Sequence, residues 1–471
     1  MMFAPTSASF LVTENCNLAC KYCFEKHNEK IMTENVAYAA LEFLSDNALK
    51  RNEREFNAML FGGEPLLNID LIDKIFHKGE EIAKNKGLRF TTSIVTNATI
   101  MNDHIFDILK WHKQSSHLNI QLSIDGNAES QNRYRVTKAG GPSFHLVEKN
   151  IDKFKELYKN NPSSLCVHSC INKDTVSEMF SNFKFFVEEW GIQNVWFLPV
   201  MEEQWTDDDV KEYDKQQKEI CDYIKRLIKV TRDVNLINMY APLDRCLDSG
   251  KPRKTCGAGD NFITVTADGD IYPCHQIYFN NPNKSEYIGN IFNLNEINTE
   301  VCDKYISCTA NCLDCPENCE VNACYRCMAV NFQYNGDITK QIKGSYCDMM
   351  HIDKKYQNEI KTFVQDLGLI NFNNKSSNDC LCNSRECSDC TDCDIVNRQE
   401  VCESGNNPEN PGCMCDIDSG APNNTRQNNI NPYTSDFEET CALAFQVILQ
   451  ELKDIKQEVK ELREQNIRPK D

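Results

Sequence analysis

The chain has 471 residues, is 41% hydrophobic and carries a net charge of −19, which suits two or three cored domains. That negative balance argues against non-specific nucleic-acid binding and against attraction to anionic lipid. No apolar run approaches a membrane span, and the opening MMFAPTSASF lacks the basic head and apolar stretch of a signal peptide, so a cytoplasmic location is expected.

In chain order, 33–49 predicts a helix and NAMLFGG (57–63) a strand ending in a glycine turn. Helix 70–86 is followed by strand FTTSIVTN (90–97), helix 101–113 and strand LNIQLSIDG (118–126). Helix 144–160, strand SLCVHSCIN (164–172), helix 175–190, strand VWFLPV (195–200) and helix 210–230 complete the series. Strands alternating with helices imply βα units, an α/β fold and a parallel sheet. Polar residues gather just after strands, at 62–65, 97, 123–126, 172 and 199–204, and that end of a parallel sheet carries the site.

The alternation stops near 240. A cysteine-dense stretch, 246–347, contains one hairpin signal, ITVTADGDIYPC (263–274), with Asp268-Gly269 at its turn. So many cysteines leave little apolar core, so this region is expected to fold around metal. A helix over 351–366 precedes a polar stretch and a second cysteine cluster, 380–415. A final helix starts at a Ser435/Glu438 capping box and carries an apolar stripe from Cys441 to Leu462. That stripe packs either on its own protein or on a second copy. The expected divisions are 1–235, 236–370, 371–433 and 434–471.

The 26 cysteines decide the class. In a reducing compartment they read as metal ligands rather than disulfides. Cys16, Cys20 and Cys23 form C-x3-C-x2-C within TENCNLACKYCFEKH. Three thiolates on one short loop hold three irons of a cubane. The next cysteine is Cys166, so the fourth iron stays open to a small molecule. An open iron implies chemistry rather than structure alone. The alternative is a zinc site completed by a residue such as His27.

This segment resembles the signature of the radical S-adenosylmethionine (SAM) enzymes, with Tyr22 as the aromatic residue before the last cysteine. FGGEP (61–65) is similar to the family's GGE motif, and TTSIVTN and SIDG to its next strand ends. The resemblance covers roughly residues 8–230. It implies a partial (β/α)6, TIM-like barrel holding a [4Fe–4S] cluster and S-adenosylmethionine, whose one-electron cleavage gives a 5′-deoxyadenosyl radical. It places Gly62, Gly63, Glu64 and Pro65 at the methionyl ammonium. Asn97, Ser123 and Asp125 then lie near the ligand, and Arg133 or Arg135, with Arg133 preferred, at the carboxylate.

CGAGDNFITVTADGDIYPC resembles the start of the SPASM extension, which in that group holds two auxiliary [4Fe–4S] clusters. The implied ligands are Cys256, Cys274, Cys327 and Cys246 for one, and Cys312, Cys315, Cys347 with Cys319 or Cys324 for the other. The downstream run, C-x2-C-x3-C-x4-C-x2-C, departs from the group's common spacing. SPASM proteins mostly modify peptides or proteins. The implied reaction is thioether or related crosslinking of a ribosomally made, cysteine-containing peptide. Formylglycine formation is the alternative, and a metal-binding adaptor the alternative of another class. Sulfatase-maturating relatives carry an Asp after the hairpin cysteine; here His275 stands there as the candidate base. A flavodoxin- or ferredoxin-like electron donor and a separate leader-binding protein are the further expected partners.

Overall fold

The computed structural model describes residues 3–115, 117–160, 165–232, 256–308, 327–340 and 344–369. Two compact units are present, Met1–Leu367 and Gly368–Asp471. The expected cysteine-rich segment 371–433 and helix 434–471 lie outside the described residues.

The first unit is organised by one nine-stranded sheet in the order β6-β5-β4-β3-β2-β1-β7-β8-β9. Strands β1 (Ser7–Thr13), β2 (Glu55–Gly62), β3 (Arg89–Thr96), β4 (His117–Ser123), β5 (Cys166–Ile171) and β6 (Asn194–Pro199) are all parallel neighbours. Between them run α1 (Glu34–Arg51), α2 (Ile69–Lys86), α3 (Asp103–Ser115), the short α4 (Ala128–Tyr134), α5 (Phe144–Leu157) and α6 (Met179–Lys184). Helix α7 (Asp207–Thr231) follows β6. Strand order rises by one at each step, so right-handed crossovers put all the connecting helices on one side.

That side is recorded in the strand sequences. In β2 and β3 burial alternates strictly, with Phe56, Ala58 and Leu60, then Phe90 and Ile94, buried. The opposite face carries Asn57, Met59 and Phe61, then Thr91, Ser93 and Val95, all half-buried. Gln121, Ser123, Cys166, His168, Cys170 and Trp196 continue it on β4–β6. One face is therefore an apolar core under helices, and the other is a half-buried surface that mixes polar and apolar side chains.

The expected strands and helices between 57 and 230 are present, with ends shifted by a few residues. Strand β1 was not among the individual sequence signals, because SASFLVT is buried almost throughout and does not alternate. The 175–190 helix is a composite: a 3₁₀ turn at Val176–Glu178, then α6, then a π turn at Phe185–Glu189. Beyond α7, β7 (Phe262–Val265) pairs in parallel with β1 and antiparallel with β8 (Asp270–Tyr272). The predicted hairpin is thus an extension of the main sheet. Helix α8 (His275–Asn280), β9 (Gly289–Asn290), α9 (Thr299–Ser307) and α10 (Met328–Asn335) follow. Helix α11 (Ser345–Asp366) begins earlier than predicted, directly after Gly344 at φ 96°. It docks on α7, where Tyr213 and Gln217 both donate to Asp353 (2.8 Å each). Among the described residues no helix is long and apolar enough to cross a membrane.

Candidate active site

The Cys16–Cys23 loop leaves the end of β1 and is held at both ends. Glu14 N–H donates to Lys30 O (2.9 Å) and Asn28 N–H to Glu14 O (3.2 Å), closing its base. Ala19 N–H donates to Val136 O and Lys21 N–H to Tyr134 O, pinning its crown to the end of α4 and the residues just after it. Cys16 is buried, Cys20 half-buried and Cys23 exposed. Cys16 Sγ accepts from Leu18 N (3.4 Å) and lies 3.8 Å from Asn97 Nδ2. Such N–H···S contacts orient a metal-binding thiolate.

Desolvation of the sulfur atoms, with Coulombic repulsion from acidic neighbours behind it, pushes the Cys16 and Cys23 thiols up to about 12, Cys23 despite the exposure of its residue as a whole. Without a metal they are neutral thiols; a cationic cluster supplies what the thiolates need. His27 Nε2 does lie 3.6 Å from Cys23 Sγ. A mononuclear zinc, with Zn–S bonds of about 2.3 Å, requires ligand atoms about 3.8 Å apart. Among the described residues, the one trio of His, Cys, Asp or Glu ligand atoms gathered within 4.8 Å is Asp73, His77 and His112, on α2 and α3. The three loop thiols are spread more widely, as a multi-iron cluster requires. The donor set fits an iron–sulfur cluster better than zinc.

The glycine turn after β2 lies against this loop. Gly62 has φ 118°, and a Cβ there would sit 2.0 Å from Thr13 O. A Cβ on Gly63 would sit 2.3 Å from Asn15 O. Gly63 N–H donates to Thr13 O (3.0 Å) and Glu64 N–H to Asn15 O (2.9 Å). Only glycines let two backbones approach this closely. The Glu64 side chain is fully buried and accepts from Leu66 N (3.0 Å), Thr96 Oγ1 (2.8 Å) and Asn97 N (2.7 Å). Its carboxylate thus ties the end of β2 to the end of β3, and Pro65 opens the next 3₁₀ turn. Burial raises Glu64 to about 7 against the lowering effect of those donors. Toward a ligand, this turn offers backbone rather than the Glu64 carboxylate.

A buried polar cluster closes the other flank. Asp125 accepts from Tyr22 Oη (2.6 Å), Arg135 Nε (2.9 Å) and Cys170 N (3.2 Å). The Arg135 guanidinium lies over the Tyr22 ring and 3.9 Å from Cys170 Sγ, and its charge lowers the Cys20 thiol pKa against the larger effect of burial. Tyr22, between two cluster cysteines, is thereby fixed by the ends of β4 and β5. Ser123 ends β4 on the half-buried face, opposite His168. Arg133 is engaged elsewhere: it donates to Glu178 (2.7 Å), Glu129 (3.2 Å) and Asp174 O (3.0 Å). The geometry favours Arg135 over Arg133, reversing the sequence preference. Residues 133 and 135 both carry charge in the sequence; only the turn of the chain after α4 separates an outer brace from a buried site cation.

Cys256, Cys274 and Cys327 come together from three segments. Burial raises the Cys274 thiol most, with the charges of Cys327 and Cys256 adding to it. Cys327 is pushed up to about 11, by burial first. Cys274 caps α8, accepting from Ile277 N (3.4 Å), and packs with Cys327 against Tyr272, Ile277 and Ala329. Cys347 is half-buried near the start of α11. Cys246, Cys312, Cys315, Cys319 and Cys324 lie outside the described residues. His275 stacks on Phe61 (4.2 Å between centroids) and faces Phe24 at 5.8 Å, bridging the β2 end, the cluster loop and Cys274. Burial lowers it to about 4, so it is neutral near pH 7. Phe24 and Phe61 flank two motifs in the sequence, yet nothing there shows that they enclose His275.

Residues 10–182 match the family model described as the Radical SAM superfamily. The radical SAM cyclopropyl synthase TigE of Paramaledivibacter caminithermalis is 24% identical over 365 residues, 73% of this chain and 70% of that one. The cysteine-type anaerobic sulfatase-maturating enzyme of Clostridium novyi is 25% identical over 58% of this chain and 72% of its own. In three dimensions, anSMEcpe with bound AdoMet and Cp18Cys peptide superposes with a TM-score of 0.59 at 19% identity, over 78% of this chain and all of that one. The loop thiols, the glycine turn packed on them and the matching family model agree over the same stretch, and residues 10–182 are a radical SAM domain.

Proposed function

We propose that this enzyme is a maturase that forms thioether crosslinks in a ribosomally made, cysteine-containing peptide. The observation that carries this reading is a half-buried sheet face that offers Asn57, Thr91, Ser93, Gln121, Ser123 and His168 among its side chains. A peptide segment needs such hydrogen-bonding walls, which an apolar cleft does not offer. The face is consistent with the lumen of a partial (β/α)6 barrel.

With a [4Fe–4S] cluster on Cys16, Cys20 and Cys23 and S-adenosylmethionine bound, the site would supply a 5′-deoxyadenosyl radical for hydrogen abstraction. Around it the chain's own groups bind and orient. Backbone carbonyls near Gly62 and Gly63 suit an ammonium, and Arg135, held by Asp125, suits a carboxylate. Asn97 steadies Cys16, and Glu64 fixes Asn97. A cluster on Cys256, Cys274 and Cys327, with Cys246 as fourth ligand, would supply an electron acceptor for oxidative crosslinking. His275, beside Cys274 and stacked on Phe61, is the candidate acceptor of a substrate thiol proton by position, and burial, which lowers it to about 4, makes it a weak base there. The second set, Cys312, Cys315 and Cys347 with Cys319 or Cys324, would hold another cluster. Reducing electrons come from a flavodoxin- or ferredoxin-like donor.

Similarity to a cyclopropyl synthase supports a second reading, in which two carbons rather than carbon and sulfur are joined. Mass spectrometry of a peptide co-expressed with the enzyme separates the two. The first candidate is a short cysteine-rich reading frame beside the gene. Thioether formation removes two hydrogens and makes one thiol unreactive to iodoacetamide per event. Loss of two hydrogens with every thiol still reactive rejects the thioether and favours ring closure. A hydrazide-reactive product points to formylglycine instead.

A further inference from the structure

We propose that α2 and α3 carry a transition-metal site, separate from the iron–sulfur chemistry, formed by Asp73, His77 and His112. Asp73 and His77 are four residues apart on α2, so they share one face. His112 reaches them from α3. Both imidazole Nε2 atoms converge on the same carboxylate oxygen: His112 lies 2.7 Å and His77 3.6 Å from Asp73 Oδ1. The three ligand atoms all lie within 4.8 Å of one another. Tetrahedral zinc with bonds of about 2.0–2.1 Å places its ligands about 3.3 Å apart. The trio brackets that spacing, so a small side-chain adjustment closes it around an ion.

The rings are held for this geometry. His112 has no exposed side-chain surface and stacks on Phe76 at 4.0 Å. Trp111 meets both His77 (4.8 Å) and His112 (4.6 Å, edge-on), walling one side. Such fixed, partly apolar surroundings orient ligands in advance. His77 is 57% exposed, which gives an ion its entry path and leaves a coordination position facing water. One carboxylate and two imidazoles select zinc, nickel, cobalt or copper over magnesium and calcium, which prefer all-oxygen shells. The bound ion would staple α2 to α3 on the helix-covered side of the sheet.

The test uses the full chain with its clusters loaded and its remaining thiols capped by methyl methanethiosulfonate, so that cysteines do not compete for metal. Zinc is added, the protein is desalted, and metal is counted by mass spectrometry. The parent should retain about one zinc more per chain than His77→Ala or Asp73→Asn, the stoichiometry of a single three-ligand site. Zinc should also raise the parent's melting temperature by several degrees and leave that of His77→Ala unmoved. His77 is exposed, so this truncation leaves the core intact. Equal zinc retention in parent and His77→Ala, with equal melting shifts, overturns the site. A shift of the same size with magnesium overturns the metal class.

Discussion

The two sets of thiols in this protein are assembled in different ways. Cys16, Cys20 and Cys23 come from one eight-residue stretch whose ends are tied by Glu14, Lys30 and Asn28. Cys256, Cys274 and Cys327 come from three segments, brought together because β7 joins β1 and α8 packs on α10. A local loop keeps its ligand geometry through short-range hydrogen bonds. A site assembled from distant segments depends on the whole packing between them. The first set should therefore tolerate damage elsewhere, and the second should not.

The largest effect that tests this comparison is at the first loop itself. Gly63→Ala drives a Cβ into Asn15 O, 2.3 Å away, so loop and turn must part. We expect loss of cluster iron and a fall in SAM cleavage on the order of 100-fold, the scale seen when positioning is lost. Wild-type iron content in this variant would show that the close approach is not needed. Next, Cys274→Ala should remove the second thiol set while leaving SAM cleavage within about threefold. Peptide modification should stop, with iron falling by about four atoms per chain, the content of one cubane. Equal loss of SAM cleavage would mean that the two thiol sets are not independent.

A smaller effect separates two neighbouring arginines. Arg135→Lys loses the Nε–H donor to Asp125 and should raise the KM for SAM about tenfold, whereas Arg133→Lys changes it less than twofold. Equal effects would place the ligand carboxylate elsewhere. The smallest effect lies at the α7–α11 contact, which ties the far end of the cysteine-rich region to α7. Burial raises Asp353 to about 7 in the folded chain, above the ordinary carboxylate value. Between about pH 4 and 7 the folded state then binds more protons than the unfolded one, so stability falls as pH rises through that window. Asp353→Asn keeps an acceptor for Tyr213 and Gln217 without the charge. It should melt higher than the parent at pH 8, with the difference shrinking as pH falls through the window and vanishing near pH 4. A constant difference across pH would assign the effect to packing.

Much of the site was legible because it is local. The loop cysteines and Tyr22 stand together in sequence, and the adjacent pair Gly62 and Gly63 packs on them in space. Glu64 was legible as a motif residue, but not as a brace. Its three donors come from its own turn and from residues 96 and 97, a strand away. Arg135 shows the same limit: spacing alone gave no reason to choose it over Arg133, because the choice depends on which residue turns inward after α4. His275 was singled out for its place after Cys274, while its stacking on Phe61 required β2 and the hairpin to lie in one sheet.

What the sequence determined alone was the alternation of the main strands and helices between 57 and 230 and the thiol spacing of the cluster loop. Apolar periodicity, glycine turns and cysteine spacing act over a few residues, and chain connectivity fixes such distances. Tertiary structure decided which of two arginines meets Asp125, that His275 stacks on Phe61, and that Asp73, His77 and His112 face one another. Those relations join residues tens of positions apart, so they exist only once the sheet and its helices have packed.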